Sequence, residues 1–416
     1  MRFVISGGGT GGHIFPAIAI ADALKRRCPE SEILFIGAKG RMEMERVPKA
    51  GYQIEGLWIS GFTKSLSSII LPIKIFDSLN KAARILKRFK PDAVIGVGGF
   101  ASGPTLKAAN ALHIPTIIQE QNSYPGKTNR NVGKKASAIC VAYNGLEQWF
   151  PKEKIHFTGN PLRGNINGNC DRKEAADYFG LDATHPVTLL VGGSQGALGI
   201  NQGISAQLSA FKDTDMQLIW QTGKNYIDQA QEEVKALGLE AQVKPTVFID
   251  RMDYAYSVAD TVISRAGAIS ISELALVQKP VIFVPLPTAA EDHQTKNAKQ
   301  LVDADAAIMV RNDETKQKLI PTLFQLLGDK NKQKTMCENI GKFARPNAAD
   351  DIAEIILGEV RSKKTESYEK RRDEKRVFFG YRRHRDERPG KILPQPRRNG
   401  VGLRPHPFPA HQATGR

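Results

Sequence analysis

A strand, glycine turn and helix open the chain and return near its middle, and this duplication constrains the fold more than any other feature. In "RFVISGGGTGGHIFPAIAIADALKRR", residues 2–27, Phe3 to Ile5 read as a buried strand and Gly7 to Gly12 as a turn, while Pro16 to Leu24 carry helical periodicity. "VTLLVGGSQGALGINQGI", residues 187–204, repeats the pattern with a turn at Gly192 to Gly196. Short β-rich runs at 33–36, 93–97, 116–118 and 138–141 follow the first copy, and runs at 218–220, 262–264 and 281–284 follow the second. Such alternation predicts an α/β chain of two Rossmann-like halves with parallel sheets. The Gly/Asn-rich stretch "FTGNPLRGNINGNC", residues 157–170, marks the seam. Ligands of open parallel sheets bind beyond the carboxyl ends of the strands, so both glycine turns should face one central cleft.

A glycine turn at a helix start brings backbone N–H groups and the positive end of the helix dipole to an anion, which points to phosphate or diphosphate. Gly7, Gly9 and Gly12 satisfy G-x-G-x-x-G, yet strand two ends in Phe35-Ile36-Gly37-Ala38-Lys39, without the acid that a dinucleotide's ribose needs; Glu32 precedes the strand. No G-K-[ST] follows either run, which excludes a P-loop. "ISRAGAISISE", residues 263–273, offers strand, turn and helix with Glu273 inside the helix. A carboxylate there can accept both ribose hydroxyls while the helix start faces the diphosphate; alone, it reads equally as a helix-dipole partner. Its place in the second half indicates a nucleotide donor held by that half.

The 416 residues, 41% hydrophobic, suffice for two substantial domains. Neither a signal peptide nor an apolar run near the roughly 20 residues of a membrane span is expected. Cys28, Cys140, Cys170 and Cys337 lack metal or CxxC spacing and suit a reducing compartment. The net charge of +16 is concentrated at the end: from Arg361 onward, 17 Lys and Arg face 6 Asp and Glu. That Arg- and Pro-rich tail, 361–416, is expected to be disordered and to have no folded role, and no nucleic-acid partner is expected.

"GGGTGGHIFPAIAIA", "GVGGFASGP" (96–104), "QEQNSYPG" (119–126), "GNPLR" (159–163), "GGSQGA" (192–197) and "SRAGAISISE" occur in order along residues 1 to about 360. Together they resemble the MurG family of bacterial peptidoglycan transferases. The resemblance implies a GT-B fold: an acceptor and membrane-associating domain at 1–162, a UDP-sugar domain at 163–342, a helix at 343–360 returning to the first domain, then the tail. It implies inverting transfer of N-acetylglucosamine from UDP-N-acetylglucosamine to the C4 hydroxyl of undecaprenyl-diphosphate-linked N-acetylmuramoyl-pentapeptide, lipid I to lipid II, at the cytoplasmic face of the inner membrane. A UDP-N-acetylglucosamine epimerase of the same fold is the alternative, and a nucleic-acid binder directed by the tail is a rival outside the enzymes.

Charge must be absorbed on the departing UDP and a base must serve the attacking hydroxyl. By resemblance Arg163 and Ser194 meet the diphosphate, Ile249 contacts uracil, and Ala268, Ile269, Ser270, Ile271, Ser272 and Glu273 hold the rest of the nucleoside. Gln294 reads the sugar, with Asn297 a weaker candidate. Thr10, Gly11, Gly12 and Asn122 serve the acceptor side. His13, at a helix start that favours neutral imidazole, is a candidate base or, equally, a hydrogen-bond partner of the acceptor's diphosphate, and Glu120 is its rival as base. Gln119 stands where many relatives carry His. Asp213-Thr214-Asp215 and Asp303-Ala304-Asp305 are read as loop acids, so neither metal nor cofactor is expected.

Residues 61–90 set Leu66, Ile69, Ile70, Ile73, Ile75 and Phe76 among Lys64, Lys74, Lys81, Arg84, Lys87 and Arg88. An apolar surface ringed by basic groups suits peripheral attachment to an anionic leaflet, although a core helix with a basic outer face has a similar pattern.

Overall fold

Each apolar run is followed by a turn and then by residues whose apolar positions recur every three to four places, so strand and helix alternate. The computed structural model describes residues 1–60, 71–164, 166, 168–193, 196–289 and 292–385. The first half comprises β1 (Arg2–Ser6), α1 (Gly11–Arg27), β2 (Glu32–Ala38), α2 (Glu43–Lys49), β3 (Gln53–Leu57), α3 (Leu71–Phe89), β4 (Ala93–Gly96), α4 (Ser102–Ala111), β5 (Thr116–Glu120), α5 (Lys127–Gly133), β6 (Ala138–Val141) and β7 (Ile155–Phe157). The second comprises α6 (Arg172–Phe179), β8 (Val187–Val191), α7 (Leu198–Ser205), β9 (Gln217–Gln221), α8 (Ile227–Leu237), β10 (Val243–Thr246), α9 (Met252–Val258), β11 (Thr261–Ser264), α10 (Ala268–Val277), β12 (Val281–Phe283), α11 (His293–Asp303), β13 (Ile308–Met309), α12 (Thr315–Gly328) and α13 (Lys330–Gly341). The sheets have orders β3-β2-β1-β4-β5-β6-β7 and β10-β9-β8-β11-β12-β13, with every pairing parallel. These are the two Rossmann-like units of a GT-B fold.

Both faces of each sheet are apolar, as parallel sheets covered by helices require. Phe3 and Ile5 face α1, while Val4 faces the layer of α3 and α4. The second sheet divides likewise, Leu189 and Val262 on one side and Leu190 and Ile263 on the other.

The last helix, α14 (Ala348–Arg385), begins in the first half's core: Ile352, Ala353, Ile356, Leu357 and Val360 pack with Ile14, Ala17 and Leu24 of α1. Asp350 pairs with Arg26 at 3.2 Å, and Glu354 with Arg27. Residues Met1–Lys363 form one unit and Lys364–Arg416 another. Disorder was expected from residue 361, yet helix continues through Arg385. Lys, Arg and Glu are good helix formers and no Pro occurs between Ala348 and Pro389, so a lack of core-forming residues did not mean a lack of helix.

Candidate active site

Chain order reverses on either side of β1 and β4, and again at β8 and β11, so the loops leaving these strands diverge. Loops from both sheets line one cleft of about 510 Å3. Thr10, Gly11, Gly12, His13, Phe15, Gln121 and Asn122 contribute from the first half, and Gly193, Ile249, Ala268, Ile269, Ser270, Glu273 and Gln294 from the second. Arg163 lines it from the segment joining the two, its guanidinium 4.3 Å from the centre of the Phe15 ring.

On the second half's side, α10 carries Ala268, Ile269, Ser270 and Glu273 on the cleft. Helical spacing turns Ile271 away, while Ser272 is engaged one turn inside the helix. Ile271 is buried in the core, and Ser272 donates to the Ala268 carbonyl at 3.0 Å and accepts from Asn160 Nδ2 at 3.1 Å. Of the run 268–273, Ile271 and Ser272 do not line the cleft. Glu273 accepts a 2.9 Å hydrogen bond from the Tyr256 hydroxyl. Burial raises the Glu273 pKa, opposed by the Arg163 charge and by the Tyr256 bond. Gln294 accepts from the Leu286 N–H at 2.9 Å through Oε1, which leaves its NH2 group as the donor end. Asn297 is buried, accepts from Ser123 Oγ at 2.8 Å, and does not line the cleft. Ser194 lies outside the described residues.

On the opposite side, His13 sits in the first turn of α1, with Nδ1 3.2 Å from Thr10 Oγ1 and its ring against Gly98. Removal from water lowers its pKa, while Glu43 and a Gly8 backbone hydrogen bond act in the other direction. Neutral imidazole, a proton acceptor, is thus the form at neutral pH. Glu120 is buried and does not line the cleft. Its Oε1 accepts from Asn122 N at 3.0 Å and Asn122 Nδ2 at 3.3 Å, and its Oε2 from Gly126 N at 3.0 Å and Asn129 Nδ2 at 2.9 Å. A carboxylate so engaged shapes the 121–126 loop. Gln119 is also structural, donating to Asn160 Oδ1 at 3.1 Å.

Both Asp-x-Asp triplets precede strands, β9 and β13, at the ends away from the cleft, and Asp305 pairs with Lys332 at 3.1 Å. No group of three metal-ligating side chains occurs among the described residues. Phe15, Phe248, Tyr256 and Glu43 went unmarked in the sequence. Only Glu43 left a signal there, an acid in the first turn of a helix after strand two.

Residues 3–141 match the glycosyltransferase family 28 N-terminal domain, and residues 187–352 its C-terminal domain. The chain is 50% identical over 359 residues to the UDP-N-acetylglucosamine--N-acetylmuramyl-(pentapeptide) pyrophosphoryl-undecaprenol N-acetylglucosamine transferase of Christiangramia forsetii, covering 86% of this chain and 97% of that one. The like-named protein of Porphyromonas gingivalis strain W83 is 52% identical over 361 residues, 86% and 95% of the two chains. Among solved structures, Acinetobacter baumannii MurG aligns with a TM-score of 0.67 at 29% identity, covering 86% of this chain and 99% of that one. A UDP-GlcNAc 2-epimerase from Neisseria meningitidis, bound to UDP-GlcNAc, shares the fold with a TM-score of 0.62 at 18% identity, over 86% and 100%.

Proposed function

The chain belongs to the glycosyltransferase family 28 enzymes that convert lipid I to lipid II, and we propose that its second half holds the UDP-sugar while its first half presents the lipid-linked acceptor. It is a UDP-N-acetylglucosamine-dependent hexosyltransferase of peptidoglycan synthesis. The observation that carries the division of labour is Glu273 of α10, held by the buried Tyr256 of α9, lining the cleft opposite Thr10 to His13.

In this reading residues 163–342 bind the donor and residues 1–162 the acceptor. Ile249 meets the uracil. Glu273 accepts the ribose hydroxyls, its second oxygen fixed by Tyr256. The α10 start, Arg163 and Ser194 take up charge on the departing diphosphate, since N–H groups at a helix start and a permanently charged guanidinium need no reorganisation as charge develops. Gln294 donates to the sugar. Thr10, Gly11, Gly12 and Asn122 hold the acceptor, and neutral His13 takes the proton of its C4 hydroxyl as that oxygen attacks the anomeric carbon from the face opposite UDP, inverting it. The Asp-x-Asp triplets lie too far from this cleft to hold a metal for it, so turnover should persist in EDTA.

No helix among the described residues is long and apolar enough to cross a membrane. α3 instead leaves Ile73 61% and Phe76 69% exposed, while Ser78, Ala82, Ile85 and Leu86 on its other side are buried. With Lys74, Lys81, Arg84, Lys87 and Arg88 on the same helix, this supports peripheral attachment to an anionic leaflet at the cytoplasmic face. Leu66, Ile69 and Ile70 lie outside the described residues. Labelled sugar passing from UDP-N-acetylglucosamine to the lipid-linked monosaccharide, with EDTA present, is the expected result; product formed from the donor alone would mark an epimerase.

A further inference from the structure

The glycine turn after β1 already holds an anion, and it is the chain's own. Glu43 at the start of α2 is buried, and its Oε2 accepts the Gly9 N–H at 2.9 Å while its Oε1 accepts the Ala38 N–H at 3.0 Å. The carboxylate lies on the turn so closely that a Cβ on Gly8 would overlap it, and a Cβ on Gly37 would stand 2.6 Å from its Cγ. Gly8 has φ +149°, which L side chains rarely adopt, so space and backbone both reserve the position for glycine. Gly8, in the turn that suggested a phosphate cradle, and Gly37 of β2 thus make room for a side chain brought from α2.

We infer that Glu43 is a positioning residue of the acceptor side: by tying the Gly8–Gly9 turn to the end of β2 it sets where Thr10 and His13 stand, and it puts a carboxylate on the same turn as the imidazole. This rests on His13 being the base. Its second part agrees with the direction in which Glu43 acts on His13, favouring the protonated ring against the effect of burial. An imidazolium formed as the acceptor hydroxyl gives up its proton would gain from that charge, and the donor side, reached only across the cleft, would not.

The test is kcat/KM for the lipid-linked acceptor against pH in wild type, Glu43→Gln and His13→Asn, with UDP-N-acetylglucosamine affinity measured alongside. Glu43→Gln should lower the plateau about tenfold, since a hydrogen bond to a charged group is lost. It should also move the acid limb to lower pH by roughly half a unit or more, with donor affinity unchanged. Glu43→Asp keeps the charge and shortens the reach, so its plateau falls while its limb stays; this arm serves even if Glu43→Gln folds poorly. A limb that disappears in His13→Asn but stays in place in Glu43→Gln overturns the inference and leaves His13 as base. A limb that survives His13→Asn removes the base assignment instead. Acceptor KM then decides for Glu43: about tenfold higher in Glu43→Gln supports positioning, and no change overturns it.

Discussion

The Tyr256 hydroxyl donates to Glu273 Oε2 at 2.9 Å, and both side chains are buried. Burial holds the tyrosine pKa well above its ordinary value, so the phenol remains a donor throughout the working pH range. Tyr256→Phe removes that one bond and almost no volume. Bonds to charged groups contribute about 1.5–3 kcal/mol, so donor affinity should fall by about tenfold or more, with acceptor KM unchanged. Calorimetric titration with UDP checks this; unchanged UDP affinity would show that Glu273 needs no such support.

Glu120 and His13 make opposite predictions. Glu120→Ala strands the donors of Asn122, Gly126 and the buried Asn129, which should cost about 2–4 kcal/mol of stability and raise acceptor KM while leaving the acid limb of kcat/KM in place. In the proposed mechanism the limb belongs to His13, whose pKa lies below the ordinary imidazole value because burial disfavours the cation. Activity therefore falls as pH drops through it and the base becomes protonated. Denaturant unfolding and a pH–rate profile of Glu120→Ala check both; a shifted limb would return Glu120 to the chemistry.

Ile73 and Phe76 project from α3 beside a basic surface. Ile73→Ser with Phe76→Ser should weaken sedimentation with anionic vesicles about tenfold or more, given roughly 1.5–3 kcal/mol per buried large side chain. Turnover of a short-chain soluble acceptor should survive. Equal loss of both activities would point to a packing role for this face.

Removal of residues after Lys363 should leave transfer to the lipid-linked acceptor within about twofold, since changes away from core and site are usually within ±0.5 kcal/mol. The cut must spare Val360, which is buried in the first half's core; ending the chain at Gly358 would confuse loss of the tail with damage to that core. Retained activity in the shortened chain also argues against a nucleic-acid role directed by the tail.

The strands legible in the sequence are the interior ones. β1, β2, β4, β5 and β6 of the first sheet, and β8, β9, β11 and β12 of the second, each contain a run marked by its apolar residues. The four not marked, β3, β7, β10 and β13, are the sheet edges. Gln53-Ile54-Glu55, Ile155-His156-Phe157 and Val243-Lys244-Pro245 mix polar residues or proline into short segments because one flank meets no neighbouring strand. The site shows a similar division. Turns and helix starts announce themselves by glycine and serine, so Thr10 to His13 and the α10 start could be read. Tyr256 and Phe15 could not, since an aromatic residue inside an apolar helix looks the same whether it supports a site or fills a core. Glu120 shows the converse: a carboxylate beside glutamine and asparagine suggested chemistry, whereas its four donors make it a brace.

The first sheet's apolar face is closed in part by Ile352, Ile356 and Val360, which are among the last residues of the unit to leave the ribosome. Folding of the amino-terminal half cannot finish when that half has been synthesised; it must wait for the whole of the other Rossmann unit to emerge. Until then the strip of α1 bearing Ala17 and Leu24 stays uncovered, so a nascent chain halted before Ala348 should depend on chaperones far more than the finished one.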